Sequence, residues 1–221
     1  MLPFDPVGVE SASRGARPLG PGVTWLKAYL PLEQQRAIAD RAREIMDGPA
    51  GGYVPIVRGG GKMHVRMISL GRHWNPLTYT YMSTRADHDD APVQPVPDEW
   101  VALASAIAAD AGFSFRPDIA LVNWYGPDGR MGLHQDKDEG PESIAAGQPV
   151  VSISIGDTAR FQFGGLRRRD PVETLLLESG DAFVFGGAAR LRYHGVSRII
   201  PDTAPPALGM SGRFNLTFRV Y

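Results

Sequence analysis

The segment RFNLTFRVY, residues 213–221, alternates without a break: Arg213, Asn215, Thr217 and Arg219 are polar, while Phe214, Leu216, Phe218 and Val220 are apolar. Successive side chains of an extended chain point to opposite faces, so this pattern predicts a strand with one face in an apolar core. The other face carries two arginines with an asparagine between them, a fork-shaped set of donors suited to a dicarboxylate. For an arbitrary arginine-bearing strand the commoner reading is a face turned to solvent.

Working outward from it, short strands are expected at about 119–125, 150–155, 160–163, 173–178, 182–185 and 190–194, each bounded by turn residues, which indicates a sandwich or barrel. Upstream the period changes to that of helices. Pro31 suits the first turn of a helix over 31–47, with Leu32, Ile38, Ala42, Ile45 and Met46 able to share one face, and Gly48 and Pro49 stop it. A second helix is expected from Asp98 to Ala111, with Val101, Ala104, Ile107 and Ala108 inward and Gly112 at its end. The two helices would back a sheet. Between them a glycine-rich turn at 59–61 separates strands around 53–58 and 62–69 in hairpin fashion. Residues 1–22, rich in Pro, Gly and Ser, read as a loosely held arm.

A second decisive stretch is HQDKDE, 134–139, with a further histidine at His194. In an extended chain a His-x-Asp pair lies on one face of a strand, and a distant histidine can complete three neighbouring corners of an octahedron. His134, Asp136 and His194 therefore fit the facial triad of non-haem iron. Alone the pair is weak, since His-x-Asp occurs by chance. Iron of this type commonly takes a bidentate keto acid as co-substrate, and the arginine strand offers a partner for its far carboxylate.

The motifs LVNWY (121–125), LHQDKDE (133–139), FQFGGL (161–166), RLRYHG (190–195) and RFNLTFR (213–219) occur in the order found in the AlkB-type iron and 2-oxoglutarate-dependent dioxygenases. The chain resembles that family from about residue 20 to the end, most strongly from Pro117 onward. The resemblance implies a mainly β protein with flanking helices (α+β): a double-stranded β-helix, or jelly roll, over about 117–221. It also implies an N-terminal nucleotide-recognition lid over about 50–90, both within one dioxygenase domain, 23–221.

The resemblance also implies an activity: oxidative demethylation of N-alkylated bases of the 1-methyladenine and 3-methylcytosine type, with Fe(2+) as cofactor and 2-oxoglutarate and O2 as co-substrates. Succinate, CO2 and formaldehyde would be the products. It places Arg213 on the distal carboxylate of 2-oxoglutarate with Asn123 and Tyr125 assisting, and Asn215 and Arg219 near the carboxylate that chelates iron. Leu121 and Met131 would line the cavity, and Leu121, Asn123 and Tyr125 share the parity that one strand face requires. Trp74 and the His134 ring would sandwich the base with Met67 nearby, and Tyr79 would lie near its phosphate or edge. The Trp74-to-tyrosine segment is about two residues shorter than in the family, which leaves Tyr79 and Tyr81 interchangeable. Asp138 would favour a cationic methylated base; its bland reading is an exposed acid in a charged loop. Arg168 matches a position that contacts nucleic acid, ahead of Arg130, and GPESIAAGQPV (140–150) is several residues longer than in the family.

Composition sets outer limits. A chain of 221 residues with 43% hydrophobic content suits one compact domain. Its formal net charge of −1 gives no global attraction to nucleic acid, so phosphate contacts must come from local patches. Gly48 to Ala86 is such a patch: it lacks Asp and Glu and mixes Arg58, Lys62, Arg66, Arg72 and Arg85 with Tyr53, Trp74, Tyr79 and Tyr81. There are no cysteines, hence neither disulfides nor thiolate metal sites. No secretory signal or membrane span is seen, and a soluble, cytoplasmic monomer acting on DNA, single- or double-stranded, or on RNA is expected. Two other classes share parts of this pattern: a jelly-roll dioxygenase acting on protein or a small molecule, which would not require the lid, and a binding module without turnover, which would show a broken triad.

Overall fold

The computed structural model describes residues 15–49 and 51–221. In chain order the elements are β1 (Ala16–Gly20), β2 (Val23–Leu26), α1 (Leu32–Asp47), β3 (Arg66–Leu70), β4 (His73–Asn75), β5 (Thr80–Met82), α2 (Asp98–Asp110), β6 (Ile119–Tyr125) and β7 (Met131–His134). They continue with α3 (Pro141–Ala145), β8 (Val150–Gly156), β9 (Thr158–Phe163), β10 (Glu173–Leu177), β11 (Ala182–Phe185), β12 (His194–Ile200) and β13 (Arg213–Arg219).

Two antiparallel sheets face each other. The larger has the order β1-β2-β11-β8-β13-β6-β3, the smaller β10-β9-β12-β7, and β4 with β5 forms a separate hairpin. The sequence-distant neighbours in both sheets are the signature of a jelly roll. β13 lies at the centre of the larger sheet, between β8 and β6, and is buried along its whole length. Its apolar side, Phe214, Leu216 and Phe218, packs with Ile38, Ala42 and Ile45 of α1 and Trp100, Ala104 and Ile107 of α2 in one core cluster. Each such side chain, fully buried, contributes about 1.5–3 kcal/mol. The helices thus cover the outer face of the larger sheet, and the polar face of β13 is left to look inward between the sheets.

Several local expectations are corrected. Residues 1–14 of the expected arm lie outside the described residues; Ala16–Gly20 of it is an edge strand paired with β2. The jelly-roll sheet is not confined to 117–221, because β1, β2 and β3 belong to it, and β3 pairs with β6 as the opposite edge. The hairpin expected over 53–69 is mostly irregular: Tyr53↔Met67 and Ile56↔Lys62 are isolated bridges, and only Arg66–Leu70 is a continuous strand. Four glycines at 52 and 59–61 leave too few side chains to pack a regular pair. Leu32 is exposed at the start of α1, where Gln35 is buried instead and donates to the Leu30 carbonyl. The strand expected at 190–194 is a turn, and β12 begins only at His194. The long 140–150 stretch contains α3, packed through the Ser143 hydroxyl, which donates to the Val220 carbonyl.

Candidate active site

The inward face of β13 and its two neighbours builds the floor of one cavity. Register places Arg213 opposite Tyr125, Asn215 opposite Asn123 and Thr217 opposite Leu121 on β6, and Asn215 opposite Ser154 and Thr217 opposite Ser152 on β8. Side chains of directly paired residues share a face, so the parity read from β6 and β13 separately becomes one surface. The cavity encloses about 570 Å³, and its lining includes every residue singled out as a ligand or co-substrate contact.

Arg213 is 1% exposed. Its Nη2 donates to Ser154 Oγ at 2.8 Å and its Nη1 to the Leu177 carbonyl at 3.3 Å, while Nε is buried without a partner. Among the described residues no carboxylate stands within ion-pair distance of it. Burial lowers its pKa to about 10, with Tyr125 and Asp181 opposing. A buried cation without a counter-ion is costly, by several kcal/mol, and is tolerated where a ligand's anion completes the pair. The Tyr125 phenol beside it is held above its ordinary range by burial, against the pull of Arg213, and so stays a neutral donor.

Arg219, at the other end of the face, is differently placed. Its Nη2 lies 2.8 Å from Asp136 Oδ1, and its Nη1 donates to the Tyr81 hydroxyl at 2.7 Å and lies 3.3 Å from Glu139 Oε1. Asn215 Nδ2 donates to Ser152 Oγ at 2.7 Å, and its Oδ1 accepts from Thr217.

His134, Asp136 and His194 converge above this floor, with one ligand atom from each within 4.8 Å of the others. The convergence arises differently from the strand-face reading: β7 ends at His134, so Asp136 lies two residues beyond it. The two histidines meet because β7 and β12 pair with His134 directly opposite His194, their rings 4.5 Å apart. Nδ1 of His134 donates to the Gly132 carbonyl at 2.9 Å and Nδ1 of His194 to the Arg192 carbonyl at 3.1 Å. Each bond assigns the proton to Nδ1 and leaves an Nε2 lone pair facing Asp136. Burial, with His194 beside it, lowers the pKa of His134 to about 4, so the imidazole is neutral. Burial would raise Asp136, but Arg219 and the two histidines outweigh it and hold the carboxyl well below its ordinary range. Asp136 Oδ2 is buried without a hydrogen-bond partner. Two imidazoles, each with Nε2 turned to Asp136, and an under-satisfied carboxylate are the donor set that a ferrous ion takes, and the residues fit it.

The mouth is bordered by the β4–β5 hairpin. Trp74 and Tyr81 are cross-strand partners in the β4–β5 hairpin, and Trp74 Nε1 donates to Asp138 Oδ2 at 2.8 Å. Asn75 Oδ1 accepts from the Leu77 and Thr78 amides, closing the turn that presents Tyr79 at φ 57°, a left-handed conformation uncommon for an aromatic residue. Tyr79 is exposed, its ring 6.0 Å from Trp74, and lines the cavity; Tyr81 is buried and does not. Met67 lines the wall, and Asp138 is half-buried, its pKa raised by burial against the Trp74 bond. Arg168 lies at the rim, donating to the Leu133 carbonyl at 2.9 Å. Arg130 is outside the cavity, against His64 Nε2 at 2.8 Å.

Two buried charges escaped the sequence reading. Glu139 stands in an acidic run of the sequence, yet its side chain is fully buried and lies 3.0 Å from Nη2 of Arg190, which donates through Nη1 to the Asp136 carbonyl. The signal lies in RLRYHG, which carries Arg190 four residues before His194.

A two-sheet jelly roll with a His-Asp-His cluster over a buried arginine defines a mononuclear iron oxygenase. The sequence model of the 2OG-Fe(II) oxygenase superfamily matches residues 22–219. The "DNA N(6)-methyladenine demethylase ALKBH1C" of Arabidopsis thaliana is 42% identical over 221 residues, covering 91% of this chain, which spans only 49% of that relative. The "Alpha-ketoglutarate-dependent dioxygenase AlkB" of Salmonella typhimurium is 38% identical over 207 residues, 91% of each chain. The solved structure of OsALKBH1 superposes with a TM-score of 0.87 at 39% identity, covering 93% of this chain and 100% of that one. The chain belongs to the AlkB-type 2OG-Fe(II) oxygenases. Its cofactor is Fe(2+), with 2-oxoglutarate and O2 as co-substrates.

Proposed function

We propose that the protein oxidatively demethylates N-alkylated bases in nucleic acid, with His134, Asp136 and His194 holding iron and Arg213 holding 2-oxoglutarate. The observation that carries this reading is the buried Arg213, without a counter-ion among the described residues, on the cavity floor beneath the triad. Bound iron would supply the oxidation, with O2 giving one oxygen atom to 2-oxoglutarate, which would go to succinate and CO2, and the other to the alkyl carbon on the base nitrogen, which would be hydroxylated and leave as formaldehyde.

The chain's own part is to bind, orient and exclude water. Arg213 pairs with the distal carboxylate, assisted by Asn123 and the Tyr125 hydroxyl, in a pocket closed by Leu121 and Met131. Asn215 and Arg219 would meet the carboxylate that chelates the metal. Trp74, Tyr79 and Met67 with the His134 ring form the slot for a base taken out of its stack, and stacking there offsets the few kcal/mol of extrusion. Asp138 sets a negative charge beside that slot, which favours bases made cationic by methylation on N1 of adenine or N3 of cytosine. Arg168 at the rim meets the backbone phosphates. The cavity is completed by side chains of this one chain, which is consistent with a monomer.

The test is turnover with ferrous iron, 2-oxoglutarate and O2 on oligonucleotides, DNA and RNA, single- and double-stranded, carrying 1-methyladenine, 3-methylcytosine or N6-methyladenine. Formaldehyde and restored base should appear together. Succinate formation that no modified oligonucleotide stimulates would point instead to hydroxylation of a protein or small molecule.

A further inference from the structure

The β4–β5 hairpin and the metal carboxylate belong to one buried polar network, and Glu139 is its centre. The Glu139 carboxylate lies 3.0 Å from Arg190 Nη2 and 3.3 Å from Arg219 Nη1, and accepts from the Tyr81 hydroxyl at 3.3 Å. Each arginine also turns one Nη on Asp136, Arg219 Nη2 on its carboxylate at 2.8 Å and Arg190 Nη1 on its carbonyl, while the Nε of both is buried without a hydrogen-bond partner. Arg190 is 2% exposed, Arg219 7%, Glu139 6% and Tyr81 8%. Two cations and two anions therefore balance inside the protein. Asp136 Oδ1 is committed to Arg219, and Oδ2, without a hydrogen-bond partner, is the atom left for the ion.

We propose that Glu139 is a positioning residue that acts through Arg219 and Arg190 to set the Asp136 carboxylate for metal binding, with Tyr81 tying the recognition hairpin into the same unit. Removing the negative charge at 139 leaves two guanidiniums competing for Asp136. The nearer response is for Arg190 or Arg219 to take Oδ2 as well, which withdraws the metal's donor. Outer-shell partners of metal ligands typically carry a 10- to 100-fold effect on affinity, and this pair of arginines touches the ligand directly.

The inference rests on reading His134, Asp136 and His194 as the metal ligands, so wild-type protein is titrated first with Co(II) alone, without co-substrate or nucleic acid, following its visible absorption. Failure of the wild type to bind Co(II) in this cavity would remove that reading itself. Given binding, Glu139→Gln, isosteric and neutral, should weaken Co(II) by at least about tenfold in protein that melts cooperatively. Tyr81→Phe removes one hydroxyl and no charge, and should weaken it by a smaller factor. The double variant should be no worse than Glu139→Gln, because residues of one network are not additive. Unchanged Co(II) affinity with a lowered melting temperature in Glu139→Gln means a purely structural role and overturns the proposal. So do strictly additive losses. If Glu139→Gln does not fold, Tyr81→Phe decides: wild-type affinity for Co(II) overturns the proposal.

Discussion

Arg213 shows how much one side chain's surroundings decide. As a letter in a strand it is a surface arginine; at 1% exposure, with a buried Nε that has no hydrogen-bond partner among the described residues, it has the surroundings of an anion site. A charge-assisted hydrogen bond contributes roughly 1.5–3 kcal/mol, so Arg213→Ala should weaken 2-oxoglutarate binding by about one to two decades in calorimetric titration. Arg213→Lys keeps the charge but not the fork, and should recover only part of the loss. Asp138 carries a different prediction. A half-buried carboxylate attracts a neighbouring cation by about 1 kcal/mol. Asp138→Asn should therefore lower kcat/KM on cationic 1-methyladenine about fivefold while leaving neutral N6-methyladenine nearly unaffected. Equal losses on both bases would deny Asp138 a role in charge selection.

At the scale of elements, the metal site depends on how closely β12 approaches β7. A Cβ built on Gly195 would stand 2.6 Å from the Met131 carbonyl oxygen and 2.9 Å from the Gly132 carbonyl carbon, both rigid backbone. Glycine immediately after His194 is what lets the two histidines face each other across the ladder. Gly195→Ala should push the strands apart and cost at least about tenfold in Co(II) affinity, measured by direct titration, although no ligand has been changed. The motif RLRYHG was readable in the sequence, but the reason for its last residue was not, since a strand was expected to end where β12 begins. The β4–β5 hairpin was equally hidden. Tyr79 and Tyr81 share parity and are indistinguishable as text; the turn built by Asn75 separates them, sending one ring to the mouth and the other under Arg219.

Across the whole molecule a net charge of −1 leaves nucleic-acid attraction to local cations at the mouth. For a single strand each neutralised phosphate contributes about −0.7 to the slope of log affinity against log salt. Arg168→Ala should make that slope shallower by about one contact, with little change in turnover of a free methylated nucleoside; an unchanged slope would place Arg168 off the path of the strand. The jelly roll that holds these parts was largely legible, because alternation in β6, β8 and β13 and helical periodicity in α1 and α2 are imposed by which face meets the core. Its edges were less so. β1 and β7 are short and carry little apolar periodicity; β1 pairs only with its chain neighbour β2, and the pairing that defines β7 is with β12, far along the chain.

The residues alone determined the central strands, the two long helices and the chemical inventory: two histidines and an aspartate able to ligate a metal, a donor-bearing strand face, and a segment of mixed cations and aromatics over 48–86. Local pattern suffices for these because burial on one face leaves its period in the sequence. Tertiary structure alone decided that His134 stands opposite His194, that among the described residues Arg213 lacks a counter-ion while Arg219 has two, and that Glu139 is buried between arginines drawn from positions 190 and 219. Those are facts of register and long-range packing, and a charge's partner, unlike its type, is set by which distant segments the fold brings within reach.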